Sequence, residues 1–450
     1  MAELNFLTAT IGDLEKSLAD GSTTSEQIVT RYLNRIDAYN GYLHAIISTP
    51  SPREKDNIAT DPALGMETTA GTYALVGSRV KRSAVLAKQL QDAGAIILAK
   101  ANLGELSNFR GLRMPAGWSA VGGLTQSPYV VGGKKWDDGF GGHSASGGSS
   151  SGSCVAVAAG LAPAAVGTDT NGSILMPATR HDVYAMKPTL GLISRDGICP
   201  ICLEFDSAGP IARHPRDIAL LMDAMVDPEN PHAKPGGSYT AKLTRSFDGL
   251  RIGVLDPREW HLPSVVAVPN EAVNNEFDRE ISNAYDKLRF LGVTVKEVRI
   301  ASPDELEVDG MSQIGRAMVS GFRHDFEDYL KNLDVSKVRS LEDVMAFMKE
   351  NTGLEFPPES PNMQRLETAA KFSLPTDVRA AAIEDMRDWG RRRAVDKCLK
   401  EYDVDIILGP ADSEMDDLYS AAGYPMANLP LSYSSFNGRP FGLCATASQY

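Results

Sequence analysis

Hydrophobic residues follow two different spacings along this chain, which predicts that helices and strands alternate. The segment from Thr10 to Leu43 has apolar residues at helical spacing and is divided at Asp20–Ser22, so two helices are predicted, with Thr24 as the cap of the second. Arg82 to Ala93 has the same helical spacing. Short apolar runs predict strands at 95–99, 165–168, 250–255, 293–300 and 404–408. This order is typical of an α/β fold with a wound sheet.

The chain contains one candidate linker. Residues 227–249 are rich in Pro, Gly and Lys, and a predicted strand begins directly after them. A helical block follows between 313 and 402 and is interrupted at Pro357–Pro361. Because large α/β sheets can exceed the usual size of a single domain, we expect one domain over residues 1–450, with a helical N-terminal part at 5–45.

The composition favours a globular enzyme over a nucleic-acid or membrane protein. Hydrophobic residues make up 43% of the chain and charged residues 23%, which is enough for a large core. The 45 basic and 58 acidic residues give a net charge of −13 without a basic stripe, so nucleic acid and anionic membrane surfaces are not expected partners. No apolar run reaches the length of a membrane span. The 5 cysteines lack paired spacing, so we expect a cytoplasmic protein.

The segment from Gly147 to Pro188 carries the strongest signal for chemistry. It has two Gly/Ser-rich turns, one around Ser149 and one around Ser173, separated by a predicted small-residue helix at 153–161 and a short strand. Glycines permit positive φ angles and let backbone N–H groups approach a ligand, so each turn can present amide donors around a serine hydroxyl. This arrangement is typical of acyl transfer.

Several ordered motifs in and around this segment match one known family. The matching segments are Leu33–Asn40, Ala95–Glu105, Gly147–Ser153, Gly167–Ile174, Pro177–Ala178, Met186–Thr189, Asp206–Arg213 and Gly423–Ala427. Through them the chain resembles the amidase signature family over most of its length, and only loosely between residues 230 and 400.

The resemblance implies both a fold and a reaction. The expected fold is an α/β/α sandwich with a large mixed central sheet and helices on both faces. The expected activity is hydrolysis of the C–N bond of a small carboxamide through a Ser–cis-Ser–Lys triad and an acyl-enzyme intermediate. The family uses neither a metal ion nor an organic cofactor, so none is expected here. No pattern in the sequence indicates an oligomeric state.

The resemblance also assigns roles to individual residues. Ser173 is the expected nucleophile, and Ser149 is the expected bridging serine on a cis peptide bond. Lys55, in a Lys-Asp-Asn motif, is the expected base, and it must be buried because only a neutral lysine accepts a proton. The expected oxyanion donors are the backbone amides of Thr170, Asn171, Gly172 and Ser173. Asn171 stands where the family more often has glycine, and asparagine tolerates left-handed backbone geometry.

The sequence departs from the family pattern ahead of Lys55 and at its end. The family lysine ends an apolar strand that follows a helix, whereas here Ala45–Thr49 leads directly into Pro50–Glu54, with two prolines and two charges. A segment of helix and strand is therefore expected to be absent. The chain also ends at Gln449–Tyr450, where the family usually continues into a terminal helix.

Other interpretations of the same motifs are weaker. Gly148–Gly152 matches the G-x-S-x-G nucleophile elbow with Ser150 at its centre, but no apolar strand precedes it. Cys199 and Cys202 form a single C-x-x-C pair, and a structural zinc needs four ligands, so we expect small buried thiols and no metal. His143 and His181 flank the serine segment, and ordinary polar roles are expected for both.

Three functional hypotheses follow. The first is an amidase that acts on small or acyl amides. The second is the glutamine-hydrolysing subunit of a tRNA-dependent amidotransferase, which the apolar residues Ile174–Met176 disfavour because a cation would be wanted there for the glutamine carboxylate. The third is a catalytically impaired remnant or binding protein, suggested by the missing segment before Lys55.

Overall fold

The computed structural model describes residues 4–50, 65–227, 229–230, 238–308, 311–357 and 361–448. Lys55 and part of the predicted linker at 227–249 therefore lie outside the described residues. The helices in the described part are α1 Ile11–Ala19, α2 Ser25–Leu43, α3 Val85–Asp92, α4 Ser151–Ala158, α5 Leu175–Thr179, α6 Pro215–Met225, α7 Glu271–Phe290, α8 Gln313–Lys331, α9 Leu341–Glu350, α10 Thr352–Glu355, α11 Gln364–Lys371, α12 Thr376–Asp388, α13 Asp396–Tyr402 and α14 Met415–Ala422, with a π-helical segment at Trp389–Val395.

The strands form one large sheet and several two-stranded ribbons. They are β1 Ile46–Ser48, β2 Arg79–Val80, β3 Lys100–Ala101, β4 Trp118–Ser119, β5 Gly123–Leu124, β6 Ala164–Asp169, β7 Tyr184–Lys187, β8 Ser207–Ala212, β9 Arg251–Val254, β10 Thr294–Glu297, β11 Glu307–Val308, β12 Met311–Ser312, β13 Leu333–Val335, β14 Ile406–Pro410, β15 Met426–Tyr433 and β16 Pro440–Thr446. Over the described residues, the large sheet has 8 strands in the order β10-β9-β14-β16-β15-β7-β8-β6. Its β9 pairs in parallel with β10 and β14, and its other pairs are antiparallel, so the predicted mixed sheet is confirmed.

Helices cover both faces of this sheet. Successive strand residues point to opposite faces, so the packing partners of neighbouring residues in β14 show which helices lie on each face of the sheet. Ile407 belongs to the main core, which includes residues of α8, α12, α13 and α14. Its neighbours Ile406 and Leu408 pack with Ile281 and Tyr285 of α7 instead. The expected α/β/α sandwich is therefore confirmed.

The N-terminal helices form as the sequence predicts. Thr10 and Thr24 cap α1 and α2 in capping boxes with Asp13 and Gln27, which satisfies backbone donors at both helix starts. Arg35 on α2 donates from Nε to the Gly160 carbonyl at 2.6 Å and from Nη2 to the Ala159 carbonyl at 2.8 Å. These bonds anchor α2 to the C-terminal end of α4, which follows Ser149.

One strand prediction is wrong. Residues 95–99 form no strand, and β3 occupies Lys100–Ala101 instead, where it pairs with β1. A run of apolar residues becomes a strand only where a partner strand is aligned with it, and β1 is aligned with the two residues that follow. Within the described residues, no helix has both the length and the apolar character that crossing a membrane requires.

Candidate active site

The loop before Ser149 depends on glycine. Gly147 and Gly148 have φ angles of 74° and 38°, and a Cβ on Gly148 would lie 2.4 Å from the Pro177 ring. Ser149 is 2% exposed, and its carbonyl accepts a hydrogen bond from the Gly104 amide at 3.0 Å. The loop can therefore pack tightly against α5 only because both positions lack a side chain.

The two serine turns lie next to each other. The Ser150 amide donates to the Ser173 carbonyl at 3.0 Å, and a Cβ on Gly148 would lie 3.1 Å from the same carbonyl oxygen. Ser173 is half-buried and lies two residues before α5. The structure thus brings together the two turns that the sequence singles out.

The backbone at Ser149 differs from the expectation. The described residues contain no cis peptide bond, so the bond before Ser149 is trans. Trans is the geometry that any non-proline peptide bond favours.

Ser150 has a structural role. Its hydroxyl donates to the Thr168 carbonyl at 2.8 Å and accepts from the Thr168 amide at 3.0 Å. The side chain therefore joins the start of α4 to β6. Because both its donor and an acceptor position are used, Ser150 is a poor candidate for the nucleophile of an elbow.

The loop from Asp169 to Ser173 is held by Tyr419 of α14. Gly172 has a φ of +81°, and its amide donates to the Tyr419 hydroxyl at 2.8 Å. That hydroxyl donates to the Asp169 carboxylate, at 3.2 and 3.3 Å to its two oxygens, and Asp169 also accepts from the Ile174 amide at 2.6 Å. The Gly172 amide was expected to be an oxyanion donor, but in this structure it is already bonded to Tyr419.

Side-chain bonds fix the other residues of this loop. The Thr170 hydroxyl donates to Asp206 at 2.6 Å, and the Asn171 amide group donates to Asp417 at 2.7 Å. Asn171 does not have a positive φ, so its tolerance of left-handed geometry is not used. In the described part of the chain, the backbone amides of Asn171 and Ser173 have no hydrogen-bond partner.

Buried charges surround this loop. Burial raises the pKa of Asp169, and burial together with mutual repulsion raises the pKa of Asp416 next to Asp417. Lys187 is fully buried and donates to the Tyr424 carbonyl at 2.9 Å, and burial lowers its pKa to about 7 although Asp169 opposes the shift. The loop therefore rests on a network of groups whose charge states are sensitive to their surroundings.

Lys55, the expected base, lies outside the described residues. A second lysine, Lys100 on β3, lines a cavity of about 1420 Å³ that Ser149 also lines. Its Nζ donates to the Thr68 hydroxyl, and burial lowers its pKa to about 8 while Glu67 raises it. Sequence reasoning did not single out Lys100.

Among the described residues, Cys202 lies near two carboxylates, and Cys199 does not belong to that group. Cys202, Glu204 and Asp325 lie close enough together that their ligand atoms are all within 4.8 Å of one another. Arg379 is already bound there, because its Nη2 donates to Glu204 at 2.8 Å and to the Cys202 sulfur at 3.3 Å. The guanidinium neutralises the carboxylate that a metal ion would need.

Known proteins resemble this chain in sequence and in fold. The sequence profile of the amidase family matches residues 54–416. A probable amidase of Arabidopsis thaliana is 33% identical over 97% of this chain and 85% of its own length. The chain belongs to the amidase family. The predicted activity, hydrolysis of a carboxamide C–N bond, is confirmed by this membership.

Further relatives of this amidase cover nearly the whole chain. Native peptide amidase from Stenotrophomonas maltophilia superposes with a TM-score of 0.83 at 28% identity, over 98% of this chain and 93% of the other. A glutamyl-tRNA(Gln) amidotransferase subunit from Halorhodospira halophila is 28% identical over 96% of this chain and 92% of its own length.

Some residues of this amidase site were missed by sequence reasoning. Asp169 and Lys187 lie inside the recognised motifs, which was a signal that each has a role. Tyr419 had no such signal, because it contacts Gly172 from a helix at the other end of the chain.

Proposed function

We propose that this amidase uses Ser173 as the nucleophile, Ser149 as the proton relay and Lys55 as the general base. The observation that carries the proposal is the hydrogen bond between the Ser150 amide and the Ser173 carbonyl, which places the two serine turns side by side. The second observation is that the Ser150 hydroxyl is already occupied by Thr168. Ser149 and Ser173 are therefore the better candidates in this segment.

The proposed reaction proceeds in two halves. The Ser173 oxygen attacks the amide carbonyl carbon while its proton passes through Ser149 to the neutral amine of Lys55. The C–N bond then breaks, and the leaving amine takes the proton back through Ser149. A water molecule then gives its proton through Ser149 to Lys55 and attacks the acyl carbon. The ester C–O bond breaks, the Ser173 oxygen takes the proton back through Ser149, and the carboxylic acid leaves.

The oxyanion formed in each half needs backbone donors. We propose the amides of Thr170, Asn171 and Ser173 for this role, since the last two have no partner among the described residues. Gly172 contributes its positive φ to the turn and is held in place by Tyr419.

We propose a small acyl or peptide amide as the substrate, since a peptide amidase superposes over nearly the whole chain. Ile174 and Leu175 are buried in the core and 2% exposed or less, so they do not face a bound substrate. Their apolar character is therefore no argument against a glutamine substrate. The glutamine-hydrolysing role is therefore tested directly, by including glutamine among the amides assayed.

We further propose one domain over residues 1–450 and a cytoplasmic location without nucleic-acid partners or cofactors. The main core supports a single domain, since it joins residues from Ala74 to Cys444. The cysteines support a reducing compartment, because all 5 are free.

The test is labelling with a fluorophosphonate followed by peptide mapping, with release of ammonia or amine measured on a panel of small amides. Ser173 is expected to carry the adduct, and Ser173→Ala is expected to lose both labelling and hydrolysis. Ser150→Ala, checked for folding by near-ultraviolet circular dichroism, is expected to keep the label on Ser173. An adduct on Ser150, or hydrolysis by Ser173→Ala, contradicts the assignment. A folded wild-type chain that neither labels nor hydrolyses any amide would support the impaired remnant instead.

A further inference from the structure

A second cavity, of about 270 Å³, lies apart from the serine turns. Its walls include the aromatic rings of Trp260, Phe277 and Phe441. Its polar lining consists of His143, His261, Asn274, Asp278, Asp412 and Arg439. Neither Ser149 nor Ser173 lines it. Its volume is slightly below the lower end of the range for ligand pockets, about 300 Å³, so it suits a small molecule with one ring.

Two nitrogen atoms of the Arg439 side chain have no hydrogen-bond partner within the described part of the chain. The side chain is 1% exposed, and its Nη1 donates to Asp412. Its Nε and Nη2 have no partner among the described residues. These two atoms form one edge of the guanidinium, and their N–H groups are parallel, which is the geometry that binds a carboxylate with two hydrogen bonds.

The Arg439 guanidinium also lies over the aromatic ring of Phe277. Its central carbon lies 5.1 Å from the centre of the Phe277 ring, and Phe277 stacks on Phe441 with their centres 4.1 Å apart. An anion bound to the free edge of Arg439 would therefore find a rigid partner beside an apolar wall.

Arg439 shares its carboxylate partner with a second arginine. Asp412 accepts from Arg439 and also from Arg180, whose Nη2 lies 2.9 Å from its Oδ1, so one carboxylate serves two guanidiniums. The nearby Asp138 is already paired with Lys134 at 2.6 Å. Asp278, which also lines the cavity, is already bonded to His261 at 2.8 Å. Burial lowers the pKa of Arg439 only to about 10, so it stays charged at neutral pH.

His143 offers a third donor in the same cavity. The residue is 8% exposed, and its Nδ1 has no partner in the described part of the chain. Burial, together with Arg439 and Arg180, lowers its pKa to about 4, so the ring is neutral at pH 7. A neutral imidazole protonated on Nδ1 can donate to an anion.

We propose that this cavity binds a small carboxylate with one apolar ring. The carboxylate would accept from Nε and Nη2 of Arg439 and from His143, and the ring would lie against Trp260 and Phe277. Because the donors of Arg439 are buried, binding requires a side chain of the wall to rotate. The free energy comes from pairing buried donors that are otherwise neither solvated nor bonded.

The test is ¹⁹F NMR titration of 4-fluorobenzoate against the full chain, with 4-fluorobenzyl alcohol as the uncharged control. Saturable binding of one 4-fluorobenzoate is expected, with the alcohol at least tenfold weaker. Arg439→Gln is expected to weaken binding at least tenfold. Arg279→Gln changes an exposed arginine outside the cavity and is expected to leave binding unchanged.

A second variant keeps the test valid if Arg439→Gln does not fold. Ala267 is 5% exposed and lines the cavity, so Ala267→Leu fills it without altering any charge. This variant is also expected to weaken binding at least tenfold. The proposal is overturned if wild type does not bind 4-fluorobenzoate, if the alcohol binds equally well, or if Ala267→Leu binds like wild type.

Binding in Ser173→Ala separates this site from the catalytic one. Unchanged affinity for 4-fluorobenzoate in this variant is expected, since Ser173 does not line the cavity. Loss of binding would mean that the carboxylate occupies the proposed catalytic site, which overturns the second site but leaves the role of Ser173 standing.

Discussion

Replacing Tyr419 with phenylalanine removes one oxygen from beneath the proposed nucleophile loop. Tyr419 is fully buried, and its hydroxyl accepts from the Gly172 amide and donates to Asp169. The variant leaves a buried N–H without an acceptor and takes one bond from a buried carboxylate. Each loss costs about 1–3 kcal/mol, so we expect the two together to lower the free energy of unfolding by about 2–6 kcal/mol.

The chain offers a matched control in Tyr285. This side chain is 4% exposed, and its hydroxyl has no hydrogen-bond partner in the described part of the structure. Tyr285→Phe removes the same atom without breaking a bond, so we expect a change within about 0.5 kcal/mol or a small gain. Urea unfolding followed by tryptophan fluorescence measures both variants under the same conditions.

Activity provides a second readout for Tyr419. The hydroxyl fixes Gly172, which directly precedes Ser173, so Tyr419→Phe is expected to lower kcat/KM between about tenfold and a hundredfold, whereas Tyr285→Phe keeps it. If the two variants lose the same stability and retain the same activity, the Tyr419 hydroxyl does not support this loop and the reasoning is refuted.

Three further predictions concern charge and cysteine. Activity is expected to rise with pH as the base loses its proton. Lys55→Ala is expected to lower kcat about a thousandfold or more, and Lys100→Ala less than tenfold. The reverse order of these losses, with a pH midpoint near the Lys100 pKa of about 8, would make Lys100 the base. Burial raises the pKa of Glu105 from about 4.5 to about 8, although Arg110 opposes the shift, so the folded state holds a proton that the unfolded state releases. Stability should therefore fall as pH rises from about 5 to 8, and urea titrations of Glu105→Gln across this range should show a smaller slope; an unchanged slope would contradict the shift. Cys199→Ser/Cys202→Ser is expected to keep amide hydrolysis. Protein purified without added metal is expected to contain no stoichiometric zinc by elemental analysis. Zinc that is present in wild type and lost in the double variant would show a metal site.

Local patterns in the sequence were sufficient for much of the fold and for the two serine turns. Thr10 and Thr24 cap their helices through residues three positions away, so a short segment of sequence is enough to predict where each helix begins. The glycines before Ser149 similarly mark a turn that only residues without a side chain permit. These features depend on neighbours in the chain, which is why they could be predicted.

Pairing between distant segments decided the rest. Residues 95–99 are apolar enough for a strand, but β1 aligns with Lys100 and Ala101 instead. The sequence predicts the Gly172 amide as an oxyanion donor, but in the fold this amide donates to the Tyr419 hydroxyl.

What the sequence by itself determined is the amidase family, the α/β/α architecture and the identity of the candidate serines, because short motifs carry each of them. Only the tertiary structure decided which donors near those serines are already used, and that Arg180, Asp412 and Arg439 meet beside a second cavity. The physical reason is that burial and hydrogen bonding depend on which groups become neighbours after folding, and no local pattern specifies a partner more than two hundred residues away.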